Sequence, residues 1–260
     1  MSDEKKLVKQ FLLTTAAGKR LIAKSFLSSK PILDALATNT VVILAGTTNG
    51  YIAEEILKEI GQASDFSRDR FFRGITFPPK YTPTKKSDEE TAFIGDVIIK
   101  NGKWEKGKTI LDVADDLKQG DIVIKGANAV NLDAQQAAIL IGHPKGGTIS
   151  PILQAVVGRR VNLFIPVGLE KRISGDINKI AQMLNSPEAS GPRYMPVTGN
   201  IVTEIEALKI LTGADAELVA SGGVCGAEGC YWLAVSGTED QLAEVDVLIK
   251  MLHSEPNFKL

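Results

Sequence analysis

The sequence predicts an α/β fold in which a mostly parallel sheet carries helices on both faces and a smaller α+β unit follows. Three observations support this. An apolar, β-branched run, Val41-Val42-Ile43-Leu44-Ala45, breaks at Gly46-Thr47-Thr48-Asn49-Gly50. It restarts with Ile52, Ile56, Leu57 and Ile60 on one helical face, which reads as strand, tight loop and helix. Two more short apolar runs, Ile122-Val123-Ile124 and Val161 to Pro166, end in polar loops and alternate with helical stretches, as strands of a parallel sheet do. After Asn185 to Pro192, a stretch of prolines, glycine and small polar residues, the pattern becomes strand, helix, strand, strand, helix.

Composition excludes several function classes. At 260 residues, 44% hydrophobic and 23% charged, the chain can bury the core of one large α/β domain or two smaller ones. A formal net charge of -1 gives no global field to attract nucleic acid, so no such partner is expected. Cys225 and Cys230 are too few for a disulfide framework, and no apolar run approaches the roughly 20 residues that span a membrane. Ser2-Asp3-Glu4-Lys5-Lys6 and the short Phe11-Leu12-Leu13 run do not make a signal peptide. A cytoplasmic chain with no membrane partner is expected.

The elements follow in order. Leu21, Ile22, Phe26, Leu27, Ile32, Leu33 and Leu36 lie at helical spacing, and Pro31 can start a second helix, so helices precede the first central strand. Phe66 to Thr91 mixes Arg68, Arg70, Arg73, Pro78, Pro79, Pro83, Lys85 and Lys86 with aromatics. It reads as a long irregular segment that either lines an anionic ligand site or forms a surface excursion or subunit contact. Val97 to Trp104 is a hairpin signature, because Asn101-Gly102 tolerates the positive φ of a type I′ turn. Ile110 to Leu117, Ile149 to Val157 with Pro151 in its first turn, and Ile177 to Leu184 read as helices.

The boundary places a Rossmann-like domain at 1–190 and a second unit at 191–260. In the latter, Tyr194 to Thr203 reads as a strand, Glu204 to Leu211 as a helix, Ala216 to Ser221 and Tyr231 to Ser236 as strands, and Gln241 to Leu252 as a helix. That is most of a ferredoxin-like unit. Cys225 and Cys230 fall in its glycine-rich loop, as small packing residues or, alternatively, as thiols with redox or metal chemistry. The irregular segment and the second unit offer surfaces for a homo-oligomer without fixing a stoichiometry.

Candidate ligand residues collect where strands end, since an open parallel sheet binds ligands beyond the carboxyl ends of its strands. At the first strand end, Gly46, Thr47, Thr48, Asn49 and Gly50 open a helix whose unpaired N–H groups and dipole suit an anion, with threonine hydroxyls as further donors. The same stretch also reads as a turn and a plain helix cap. Lys125, Gly126, Asn128 and Asn131 follow the second strand, where the asparagines can equally form Asx turns. Lys145, Gly146, Gly147 and Thr148 form a second glycine-rich loop, and Glu170 and Lys171 follow the third strand. The histidines, His143 and His253, have no metal-ligand spacing with the distant cysteines; neither a metal nor a cofactor is implied.

These loops, in this order, resemble the superfamily of type A ribose-5-phosphate isomerase, glucosamine-6-phosphate deaminase and the CoA transferases. Ala45-Gly46-Thr47-Thr48-Asn49 stands where the isomerases carry a Gly-Ser-Thr-Thr phosphate loop. Lys125-Gly126-Ala127-Asn128-Ala129-Val130-Asn131 looks like a rewritten Asp-Gly-Ala-Asp-Glu-Val-Asp motif, and Lys145-Gly146-Gly147-Thr148 matches part of Lys-Gly-Gly-Gly-Gly. The resemblance implies a role for Lys19 in the helical segment before the first strand, and a ferredoxin-like subdomain. It also exposes a loss: the isomerase acids become Lys125, Asn128 and Asn131, and Ile149 to Val157 contains no acid. An amide holds a hydroxyl but carries no proton at neutral pH, so ribose-5-phosphate isomerase activity is not expected.

The expected function is binding of a phosphorylated or otherwise anionic small metabolite, a sugar phosphate foremost, with or without an isomerase-like or transferase-like reaction. Lys145 and Glu170 are the catalytic candidates, with Lys171, Glu54 and Glu55 as other sources of a substitute acid or base. A noncatalytic metabolite sensor and a CoA-ester-binding protein with a glutamate nucleophile are the alternatives.

Overall fold

The computed structural model describes residues 6–77, 79–80 and 94–258. Pro78, Pro83, Lys85 and Lys86 of the basic segment lie outside them. The chain opens with β1 (Leu7–Leu13), α1 (Thr15–Leu27) and α2 (Lys30–Thr38), the last with Pro31 in its first turn, and then enters β2 (Thr40–Ile43) and α3 (Thr47–Glu59). The hairpin β3 (Val97–Lys100) and β4 (Lys103–Trp104) turns at Asn101 and Gly102, whose φ angles are 50° and 76°. Next come α4 (Ile110–Val113), β5 (Ile122–Ile124), β6 (Ala129–Asn131), β7 (Gln136–Ile141), α5 (Ile149–Arg159) and β8 (Asn162–Pro166). The chain ends with α6 (Ile177–Leu184), β9 (Arg193–Val197), β10 (Asn200–Val202), α7 (Glu204–Thr212), β11 (Asp215–Ser221), β12 (Tyr231–Gly237) and α8 (Glu239–Leu252).

The central sheet has six strands in the order β10-β8-β5-β2-β3-β4. From β10 to β2 the strands are parallel; β3 and β4 extend the edge antiparallel. Along β2 the side chains alternate between two cores. Val41 and Ile43 join α1, α2 and α3 through Leu21, Ile22, Ile32, Ile52 and Ile56, while Val42 and Leu44 join Ile110, Val113, Ile149 and Ile152. Helices therefore cover both faces, which is why these strands read as continuous apolar runs.

Two three-stranded antiparallel sheets complete the fold, β6-β7-β9 and β1-β12-β11. Tyr194 to Thr203, expected as one strand, is two: β9 pairs with β7 and β10 with β8. The chain changes sheet at Gly199, where a Cβ would press within 2.7 Å of the Leu163 carbonyl. The second antiparallel sheet takes an edge strand from the beginning of the chain, with Phe11 opposite Leu233 and Leu13 opposite Tyr231, and its buried face is continuous with the α1/α3 core. Among the described residues no helix is long and apolar enough to cross a membrane.

Candidate functional site

Around the carboxyl ends of β2, β5, β8 and β10 lie the buried Asp96 and Glu204 and the partly buried Lys125, Glu170 and Lys171. α3 starts directly after β2, with Gly46 as N-cap; it has neither a side-chain cap nor an acidic residue in its first turn, so the positive end of the helix is uncompensated there. Thr48 is buried, and among the described residues its hydroxyl has no hydrogen-bond partner. Asn49 ties two strand ends together: Nδ2 donates to the carbonyls of Leu44 at 2.7 Å and Ile124 at 3.0 Å, while its buried Oδ1 accepts from none of the described residues. Gly50 is a packing position, since a Cβ there would meet the Arg68 side chain at 3.0 Å. The Gly46 N–H donates to the Phe71 carbonyl at 3.1 Å.

Beside this helix start, Lys125 extends β5 by a backbone bond to Phe164, and Lys171 closes a 3-10 turn, Leu169–Lys171, after β8. Their ammonium groups donate to consecutive carbonyls of one loop, Lys125 Nζ to Gly126 at 3.2 Å and Lys171 Nζ to Ala127 at 2.9 Å. Burial pushes the Lys125 amine down to about 8, and the nearby Lys171 and Arg73 charges push the same way. Burial also lowers Lys171, aided by Lys19.

Arg73 reaches the strand ends from the irregular segment and pairs with Asp96. That aspartate is fully buried and accepts from the Ala45 and Ile110 N–H groups, both at 2.8 Å, so it holds the end of β2 to the start of α4.

On the far side of Lys171 lie two acids. Glu170 pairs with Lys19 at 3.8 Å, and neither of its shielded carboxylate oxygens accepts a hydrogen bond from the described residues. Glu204, at the end of β10, is fully buried; it accepts from the Tyr231 hydroxyl at 2.7 Å and the Leu169 N–H at 2.9 Å. Burial and the neighbouring Glu170 charge raise its carboxyl well above the ordinary range, so it holds a proton where an exposed glutamate does not. Gly18 of α1 makes room for this contact, since a Cβ there would collide with Tyr231 Oη and Glu204 Oε1. Gly168 does the same for the Glu170 carboxylate.

The structure thus brings Gly46, Thr47, Thr48, Asn49, Lys125, Gly126, Glu170, Lys171 and Lys19 to neighbouring strand ends. Other candidates are engaged elsewhere. Asn128 mimics a ladder bond, its Oδ1 accepting from the Leu140 N–H at 3.0 Å, and Asn131 fixes a turn through Ala134 and Gly175. Lys145, Gly146, Gly147 and Thr148 follow β7, a strand of the β6-β7-β9 sheet; Lys145 is exposed, and its backbone bonds to His143 and Ser150. Glu54 and Glu55 are held by Arg20, at 2.5 and 2.6 Å.

Sequence reasoning missed Glu204, Tyr231 and Asp96. Glu204 sits after a strand end but sounds like the first turn of a capped helix, and Asp96 sounds like a turn before a hairpin. A cavity of about 300 Å³ lined by Phe11, Leu12, Thr14, Trp232, Ile249 and His253 shares no residue with this cluster. Among the described residues no group of three or more His, Cys, Asp or Glu side chains is placed to hold a metal ion. Cys225 is exposed and Cys230 buried, both as free thiols.

The arrangement is a cationic strand-end cluster with two shielded acids beside it. Compared with known proteins, the chain matches no family model, no curated protein and no solved structure.

Proposed function

We propose that the chain binds a phosphorylated or otherwise anionic small metabolite, a sugar phosphate foremost, at the carboxyl ends of β2, β5 and β8. One observation carries this reading. Lys125 and Lys171 stand on consecutive loop carbonyls at adjacent strand ends, with Lys19 and Arg73 close enough to perturb them. Gathering cations out of water disfavours the free protein, and an anion with several acceptor oxygens relieves it. The uncapped start of α3 adds backbone donors.

Glu170 and Glu204 favour a catalyst over a passive binder, because a buried glutamate that keeps its proton, Glu204, next to a second carboxyl group is an arrangement suited to general acid chemistry on a bound sugar. They replace the acids missing from the second and third loops. The CoA-ester reading loses ground, since a glutamate nucleophile must be exposed and the Glu170 oxygens are shielded. The same reading takes the central sheet as a diverged Rossmann-like sheet of the isomerase superfamily, and the β1-β12-β11 sheet with α7 and α8 as a ferredoxin-like variant.

Thermal unfolding with inorganic phosphate, ribose 5-phosphate, glucose 6-phosphate and a nucleoside monophosphate tests the proposal. A ligand at a hundred times its Kd stabilises by about 2.7 kcal/mol, a Tm rise of several degrees for a chain of this size. The rise is expected with at least one of these anions and is abolished in Lys171→Met; no rise with any of them overturns the reading. Proton exchange from solvent into the bound sugar then separates catalyst from binder.

A further inference from the structure

Within the cluster the cations are unequally compensated. Arg73 has Asp96, Lys19 has Glu170, and Lys171 has the Ala127 carbonyl with Glu170 next in sequence. Among the described residues Lys125 has only the carbonyl of the residue that follows it, at 3.2 Å, and forms no ion pair. Its backbone is fixed in the β5–β8 ladder, and the next residue, Gly126, packs against Asn49 of α3, so the amine is held on a rigid strand end beside the helix start.

We propose that Lys125 is a Schiff-base nucleophile, and that the ligand of this site is a small aldehyde or ketone carrying a phosphate or carboxylate. The proposal rests on the anion-binding reading: Lys171, Arg73 and the start of α3 hold the anionic group while Lys125 Nζ meets the carbonyl carbon. The nitrogen lone pair forms the C–N bond as the carbonyl π bond breaks, giving a carbinolamine. Its oxygen then takes up the two protons that the neutral amine gives up and leaves as water, and the imine remains. No oxidant or reductant enters, and hydrolysis restores the amine.

The surroundings suit the step. A lysine nucleophile must be unprotonated to attack, and desolvation next to another cation is the established means of making it so. Lys171 and Arg73 supply that repulsion, with Asp96 opposing it weakly, and the amine falls to about 8. At pH 7 this gives roughly a hundredfold more neutral amine than a solvated lysine. Lower basicity takes back part of the gain, leaving about a tenfold advantage.

The test uses the intact chain at pH 7 with pyruvate, dihydroxyacetone phosphate or ribose 5-phosphate, trapping with sodium borohydride, and peptide mapping of the adduct by mass spectrometry. One equivalent of reduced adduct on Lys125 is expected, formed about tenfold faster than on exposed lysines such as Lys30 and slowed by inorganic phosphate. Lys125→Arg should abolish it while keeping its circular dichroism spectrum. Because the mapping is done on unsubstituted protein, misfolding of the variant does not affect the result. No adduct, or adducts spread evenly over surface lysines, overturns the proposal. A thermal shift with phosphate but no adduct rejects only the Schiff base; neither shift nor adduct rejects the anion site as well.

Discussion

Lys125 and Glu204 sit in one cluster, and burial moves them in opposite directions toward neutrality. Lys125 falls to about 8 in the folded chain against roughly 10.4 when solvated, so between those values the unfolded chain binds more protons. Stability therefore rises with pH across that window and is lost as pH falls through 8. Glu204 has the reverse sign: its stabilising contribution is present below the ordinary carboxyl range and disappears as pH rises through its elevated folded value. Lys125→Met removes the first effect. We expect urea denaturation to show this variant about 1–2 kcal/mol more stable at pH 7, with the part of the stability rise between pH 8 and 10 that Lys125 contributes removed and no phosphate-induced Tm rise. A variant less stable at pH 7 would show that Lys125 serves the fold instead of a ligand.

At the scale of elements, side chains join the strand ends beside the last backbone bonds of the ladder. Asn49 joins β2 to β5 from the first turn of α3, and Asp96 joins β2 to α4. Asn49→Leu leaves buried carbonyls without this donor and places an alkyl group where Oδ1 approaches Gly126. A loss of about 2–3 kcal/mol in urea unfolding is expected, with phosphate affinity falling too because the start of α3 shifts against Lys125. Loss of affinity without loss of stability would instead make Asn49 a direct ligand. Apolar patterning made several elements legible: β2, β5 and β8 as short apolar runs, α1, α3 and α8 by their apolar spacing, and the β3–β4 turn by Asn101-Gly102. β1, β6 and β7 were not. Exposed Val8 and Leu12 beside buried Phe11 and Leu13 blur the alternation of β1, and the residues of β6 are too few for any period.

Over the whole molecule, the first strand and the last sheet depend on each other. β1 pairs with β12 along its full length and contributes Phe11 and Leu13 to the core beneath. Removing residues 1–13 uncovers an edge strand and the apolar surface under it. The truncated chain should unfold at least 10 °C lower and bind a hydrophobic dye at 25 °C. An unchanged melting profile would show that the sheet stands on β11 and β12 alone.

The sequence by itself determined that this is an α/β chain with a buried parallel core, which segments are helices, and that polar loops follow the central strands. Apolar periodicity and turn chemistry are local properties, written in neighbouring residues. Tertiary structure alone decided which polar loops meet. It set Lys125, Lys171, Arg73 and Glu204 together from positions far apart in the chain, sent Lys145 to another sheet, and turned Asn128 and Asn131 into backbone supports. Strand order and burial are long-range outcomes, and the ionisation of a lysine follows from what is packed around it, not from the residues beside it in sequence.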